Sequence, residues 1–143
     1  MSYTYKYPHF ALTVDMVIFS EDLKQLLLIQ RKNPPFKDCW AFPGGFVEIN
    51  ELIVHAAHRE LKEETGLSNI ELKNFGFFDA VHRDPRERVV SFAFTGKTPV
   101  SKPIKAKDDA KNVQWFPVGN LPNLAFDHLE ILLKAIKANQ NPK

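Results

Sequence analysis

The segment that most narrows what this chain can fold into is residues 45–67, GFVEINELIVHAAHRELKEETGL. Asn50 is available as a helix cap, helix-compatible residues run unbroken from Glu51, and Gly66 stands where a left-handed residue would close the last turn. The pattern predicts a helix of about four turns over 51–65. Glu60, Glu63 and Glu64 fall at i, i+3 and i+4, within one arc of about 100° that they share with Ile53, Ala56 and Ala57. Like charges at that spacing repel by roughly 0.2–0.5 kcal/mol per pair, and acids near a helix C-terminus oppose its dipole by about 0.3–1 kcal/mol each at low salt. Arg59 and Lys62 offset only part of this. A cluster so disfavoured locally, on a face lined with small apolar residues, calls for a compensating cation. Ligands that are all oxygen point to Mg²⁺ or Mn²⁺, because zinc would recruit His or Cys.

An acidic cluster on a helix is ordinarily a solvated face. What sets this one apart is the whole pattern of fixed residue types, which would arise by chance in so short a chain on the order of once in a million or less. It reads G-x5-E-x7-R-E-U-x-E-E-x-G-U, with U aliphatic, through Gly45, Glu51, Arg59, Glu60, Leu61, Glu63, Glu64, Gly66 and Leu67. In this the chain resembles the Nudix hydrolases, which cleave a nucleoside diphosphate linked to another moiety. The resemblance implies an α/β fold, an α/β/α sandwich built on a mixed sheet.

With 143 residues the chain is expected to form a single domain, 1–143, with one substantial core. The net charge of +2 gives no sign of a nucleic-acid or membrane partner, whereas an anionic small molecule needs only a local positive site. Cys39 is the lone cysteine, so no internal disulfide can form; a packing role is the ordinary one for such a residue, and a reducing compartment is its natural home. The N-terminus lacks a basic segment followed by an apolar stretch, and no apolar run is long enough to span a membrane. A cytoplasmic protein is expected.

Taken in order, residues 12–19 and 26–31 read as two strands joined by a turn at 20–24, a hairpin. Asn33-Pro34-Pro35 then stops strand pairing, since neither proline donates a backbone hydrogen bond. Trp40-Ala41-Phe42 delivers the chain into Pro43-Gly44-Gly45, where paired glycines allow close approach to a phosphate or metal, or a positive φ. Residues 70–78 and 89–95 read as further strands, 96–110 as a long polar connection, and 113–117 as a last short strand. Phe126, Leu129, Leu132, Leu133 and Ile136 recur at helical spacing and predict a closing helix over 126–138 whose apolar stripe is core. His55 and His58 project away from the carboxylate face and read as surface residues, and His128 as a residue of the last helix's first turn.

By the same resemblance, Glu60, Glu63 and Glu64 are the expected ligands of Mg²⁺ or Mn²⁺, joined by the backbone carbonyl of Gly44. A divalent ion between the diphosphate oxygens removes charge, aligns the group and acidifies water. Arg59 matches the arginine that holds the glutamates in place, and Glu51 a supporting acidic position. The base that accepts the proton from water is left among Glu63, Glu64, Glu87, Asp108 and Asp109, with Asp109 taken forward. Substrate contacts are expected from Gly45, Glu51 and the arginines of His82-Arg83-Asp84-Pro85-Arg86-Glu87-Arg88, above all Arg83 and Arg86, although such a loop can equally be a solvated tip. Phe10, Phe36, Trp40 and Phe78 are candidates to stack a base, against the commoner role of aromatics in a core.

Three segments outside the box, Arg83-Asp84-Pro85-Arg86, Asp108-Asp109-Ala110 and Leu124-Ala125-Phe126-Asp127-His128, bring the chain nearest to bacterial ADP-ribose pyrophosphatases. In those relatives the marker proline falls somewhat closer to the box than Pro85 does here. The substrate implied is ADP-ribose, giving AMP and ribose 5-phosphate. An oxidised nucleoside triphosphate is the alternative substrate, and a non-catalytic sensor of nucleotide sugars the alternative class, although sensors of that kind carry an appended DNA-binding domain for which the chain leaves no room. Family members are often homodimers.

Overall fold

Residues 14–19, Val-Asp-Met-Val-Ile-Phe, are apolar apart from one acid, and a strand of that composition is stable when both of its faces are covered. The computed structural model, which describes residues 4–140, meets that requirement. Its elements are β1 (Ala11–Ser20), β2 (Gln25–Arg31), β3 (Trp40–Ala41), β4 (Gly44–Phe46), α1 (Ile53–Thr65), β5 (Lys73–Phe78), β6 (Val89–Thr98), β7 (Ala110–Pro117) and α2 (His128–Gln140). The strands form one mixed sheet in the order β3-β2-β1-β6-β5, with β4 also on β1 and β7 also on β2. β1 and β6 run parallel, from Ala11 opposite Val89 to Ser20 opposite Thr98. Their neighbours are antiparallel, and β1 and β2 make the expected hairpin.

Alternation along the central strands divides the core in two. Val14, Met16, Ile18 and Leu27 face α1, where they pack on Ala56, Ala57 and Leu61. Val17, Phe19, Leu26 and Leu28 point the other way and meet Ile131, Leu132 and Ala135 of α2. A helix therefore lies on each face of the sheet, the α/β/α layering expected. No helix among the described residues is long and apolar enough to cross a membrane.

Several boundaries differ from the sequence reading, each for a local reason. Helix α1 begins at Ile53 with Leu52 as its cap residue and no side-chain cap, so Asn50 does not cap it. The Glu51 side chain accepts the Glu48 amide and the Arg59 guanidinium instead, which holds 48–51 as a turn ahead of the helix. Gly66 closes the helix as expected, at φ 80° with its N–H on the Lys62 carbonyl. β5 starts at Lys73 because Ile70 turns into the α1-side core. β6 continues to Thr98 under the parallel register with β1, and β7 begins at Ala110, where Arg31 still offers it a partner.

Helix α2 starts at His128, since Phe126 takes a positive φ of 50° that no right-handed helix admits. The expected apolar stripe is correspondingly only half right: Leu132 is buried, but Leu129 and Leu133 are 57% and 60% exposed. The buried stripe is His128, Ile131, Leu132 and Ala135, set by a helix whose first residue is anchored in the sheet. Leu132→Ala should therefore cost about 2–5 kcal/mol of folding stability in urea melts, and Leu133→Ala less than about 0.5 kcal/mol.

Candidate active site

After β3 the chain crosses Phe42 and Pro43 into β4, which pairs with β1 so that Gly44 lies opposite Asp15 and Gly45 opposite Val14. Neither glycine takes a positive φ; each is required by close approach. A Cβ on Gly44 would collide with the Val14 carbonyl oxygen, and one on Gly45 would fall onto the Glu60 carboxylate. Helix α1 thus presses its acids against the β4 backbone. Glu64 Oε1 accepts the Gly44 amide hydrogen at 2.7 Å.

Arg59 is the hub of this face. Its Nε and Nη2 fork onto Glu51 at 2.9 and 2.6 Å, and Nη2 also donates to the Phe46 carbonyl at 3.0 Å. Nη1 is shared between Glu60 at 2.9 Å and Glu63 at 3.1 Å. Glu63 bonds this guanidinium, and nearly half of its side chain is in solvent. Among the described residues no three His, Cys, Asp or Glu side chains are gathered closely enough to hold a metal ion as they stand. Glu60 and Glu64 are the two carboxylates that meet at the Gly44-Gly45 strand.

The charge cost of this arrangement falls on those two groups. Burial, reinforced by Glu63 and Asp109 and opposed by Arg59, pushes the Glu60 carboxyl up to about 7. Burial also pushes Glu64 up to about 8, despite its bond from Gly44, with Glu60, Asp109 and Asp15 adding repulsion. Glu51 goes the other way, to about 2, because the Arg59 guanidinium bonds its ionised form.

A second buried network lies behind β4. Asp15 is 7% exposed, accepts the Ser91 hydroxyl at 2.5 Å, and has His128 Nε2 at 3.4 Å from Oδ1. His128 Nδ1 accepts the Phe42 amide at 3.1 Å, which assigns the proton of the neutral ring to Nε2, facing Asp15. Burial alone would raise the Asp15 carboxyl, but His128, Ser91 and Arg83 together hold it below the usual range. Arg83 forks onto Asp127 through Nε and Nη2 at 2.9 and 2.7 Å, and its side chain is only 4% exposed. The Phe42–Gly44 backbone is thus gripped twice, by His128 from α2 and by Glu64 from α1.

Both networks border one pocket of about 430 Å³. Of the residues singled out in the sequence, Gly44, Gly45, Arg59, Glu60, Glu64, Arg83, Arg86 and Asp109 line it. Glu63 and Glu51 do not; they reach it only through Arg59. Asp109 is exposed there, whereas Asp108 and Glu87 are not part of the lining. Arg86 forks onto buried Asp84 at 2.8 and 3.1 Å and stands over the rings of Phe46 and Phe126. None of Phe10, Phe36, Trp40 or Phe78 borders the pocket; its aromatics are Phe42, Phe46 and Phe126.

No site role was expected of Asp15, His128 or Arg31. Asp15 left a signal, a charge inside an otherwise apolar strand. Arg31 left none, and His128 only its place in the segment 124–128, because their importance comes from neighbours distant in sequence.

Comparison with known proteins agrees with this geometry. The NUDIX domain family model matches residues 9–135. An ADP-ribose pyrophosphatase of Methanocaldococcus jannaschii is 45% identical over 126 residues, 88% of this chain and 73% of that protein. The NUDIX domain of Shewanella oneidensis NrtR, solved with ADP ribose, superposes with a TM-score of 0.84 at 28% identity, covering 92% of this chain and 89% of that one. A bifunctional NMN adenylyltransferase/ADP ribose pyrophosphatase of Francisella tularensis, solved with AMP and a manganese ion, gives a TM-score of 0.80 at 33% identity over 93% of this chain, which spans 43% of that longer protein. The box at 45–67, the layered fold and these likenesses together make the chain a member of the NUDIX domain family.

Proposed function

We propose that this protein hydrolyses ADP-ribose to AMP and ribose 5-phosphate with Mg²⁺ or Mn²⁺. The observation that carries the reading is the meeting of Glu60 and Glu64 with the Gly44-Gly45 strand in a pocket of nucleotide size. The similarity to an ADP-ribose pyrophosphatase and to a domain solved with ADP ribose supports the choice of substrate.

The residues present fit a hard divalent cation. The donors are carboxylate and backbone oxygens, and the two buried carboxyls are costly to ionise without positive charge beside them. Glu60, Glu64 and the Gly44 carbonyl would hold the ion, with Glu63 joining them if it leaves Arg59. The ion's contribution when bound is to neutralise the diphosphate oxygens and acidify water. Arg59, fixed by Glu51, holds Glu60 in place. Gly45 lets a diphosphate approach the backbone, and Arg86 meets its charge. Arg83, forked onto Asp127 with Asp15 at 3.8 Å, lines the pocket with its charge already answered. Asp109, an exposed carboxylate on the pocket lining, takes the proton from the attacking water.

A panel of nucleotide derivatives with Mg²⁺ tests the reading. ADP-ribose should yield AMP and ribose 5-phosphate; release of pyrophosphate from a nucleoside triphosphate with ADP-ribose untouched would refute the substrate. Tight binding of ADP-ribose with no turnover at any divalent concentration would make the protein a sensor. Glu60→Gln should leave the melting temperature nearly unchanged or higher and lower kcat by at least about a hundredfold.

Stability against pH tests the charge balance independently of turnover. In chelator, the folded-state values of about 7 for Glu60 and about 8 for Glu64 lie above the ordinary 4.5. The unfolded chain therefore releases these protons first as pH rises, and stability should be highest near pH 4.5 to 5 and fall through pH 8. Glu64→Gln should flatten that fall and melt a few degrees above the parent at pH 8.5, while Mg²⁺ should restore the parent and not the variant. Thermal melts at the two pH values, with and without Mg²⁺, give the answer.

A further inference from the structure

β4 is the least self-supporting element of the pocket, because two of its three residues are glycines with no side chain to seat them in a core. Its position therefore rests on backbone hydrogen bonds. On the β1 side, the Pro43 carbonyl accepts the Met16 amide hydrogen and the Leu12 carbonyl that of Val47, each at 2.9 Å. These bonds flank the pair of Gly45 and Val14 at two-residue intervals, so Gly44 and Asp15 form the alternate pair that exchanges none, and the Gly44 carbonyl, like its N–H, faces away from β1. The N–H is held by Glu64, itself one of the groups proposed to hold the cation. An anchor independent of those groups stands two residues earlier, at the Phe42 amide, which donates to His128 Nδ1 at 3.1 Å.

His128 is built as a rigid acceptor. It is buried, its ring is stacked on the Phe42 ring at 4.9 Å with 16° between the planes, and its own amide donates to the Ala125 carbonyl at 3.1 Å. Ile131, Leu132 and Ala135 seat the helix that carries it on Val17, Leu26 and Leu28, which ties the anchor to the core. Nδ1 accepts only while Nε2 carries the ring's proton. Asp15 faces Nε2 at 3.4 Å and is in turn fixed by the Ser91 hydroxyl and by Arg83, 3.8 Å away. Because Asp15 also lies opposite Gly44, the carboxylate that selects the tautomer and the backbone that the tautomer anchors belong to one strand pair.

We infer that His128, held by Asp15 as the Nε2–H tautomer, is a positioning residue that fixes the Phe42 amide and through it the Gly44 carbonyl offered to the divalent cation. The inference rests on the reading of this strand as a cation site. It gives the closing helix α2, which supplies none of the cation's ligands, control over how tightly the cation is held.

Two conservative variants separate the bonds of the imidazole. His128→Asn puts an oxygen where Nδ1 stands and keeps the Phe42 bond while losing Asp15; His128→Gln puts an amide nitrogen where Nε2 stands and keeps Asp15 while losing Phe42. Calorimetric Mn²⁺ binding should find His128→Asn within about threefold of the parent and His128→Gln weaker by at least about tenfold, the effect of losing a group that orients a metal ligand. Parent-like affinity in His128→Gln, or losses in both variants that merely follow their melting temperatures, would overturn the inference. Where neither variant folds, the parent decides: ¹⁵N spectra of its histidine rings should show His128 with a bare Nδ1 and a protonated Nε2, and a proton on Nδ1 would end the assignment. With ADP-ribose, His128→Gln should need at least about tenfold more Mn²⁺ for half-maximal rate and regain most of its kcat at saturation, whereas a kcat still low in saturating Mn²⁺ would speak against a positioning role. If the parent binds Mn²⁺ but turns over no ADP-ribose, the role of His128 stands and only the substrate reading falls; if the parent binds no Mn²⁺, both fall.

Discussion

The bond from the Gly44 amide to the Glu64 carboxylate, 2.7 Å long and largely shut off from water, is the contact on which the pocket depends. It needs a helix delivered within a side chain's length of an extended strand, and a strand without side chains where the helix arrives. The two glycines meet the second condition, because a Cβ at either would strike Val14 or Glu60. The first is met by packing: Ala56, Ala57 and Leu61 seat α1 on Val14, Met16 and Leu27, so the apolar residues of one helix face fix where its acids end up. Hydrophobic burial here sets electrostatic geometry.

That geometry is unstable by itself, and the surrounding charges show how it is tolerated. Arg59 gathers three glutamates, and its bond to Glu51 draws one of them far below the ordinary carboxylate range while Glu60 and Glu64 stay above it. Behind the strand, Asp15 keeps its charge under burial because Ser91, His128 and Arg83 all face it. The same acids and bases are thus sorted by neighbours into groups held ionised and groups pressed toward neutrality. Glu60 and Glu64, the groups pressed toward neutrality, border the pocket together with Arg31, which is where a dication and a phosphate would each be most strongly held.

Much of this was legible in the chain. The box at 45–67 foretold a helix bearing three acids, the Gly66 stop and the tie that Arg59 makes between glutamates. The strands β1, β2, β5, β6 and β7 read correctly in kind, and their ends shifted by a few residues where register with a neighbour overrode local composition, as at Thr98 and Ala110; β4, built on two glycines, was not foreseen as a strand. The closing helix was found, but its inward face was misjudged: Leu129 and Leu133 carry the right periodicity, and the His128 bond to Phe42 rotates them outward. The aromatic candidates failed for the same reason, since nothing in a sequence distinguishes Phe126, turned toward the pocket by a positive φ, from Trp40, packed on Phe116.

What the sequence determined alone is the chemistry carried by one continuous segment, because spacing along a helix fixes which side chains share a face whatever the rest of the molecule does. What only the tertiary structure decided is everything that depends on partners far apart in the chain. Asp127 takes up Arg83, which the sequence offered as a free substrate contact, while Arg31, unremarkable at a strand's end, is left with donors to spare. The physical reason is that a charge's function follows from whether its field is answered, and the answering groups come from other elements, brought close by burial of side chains that carry no charge at all.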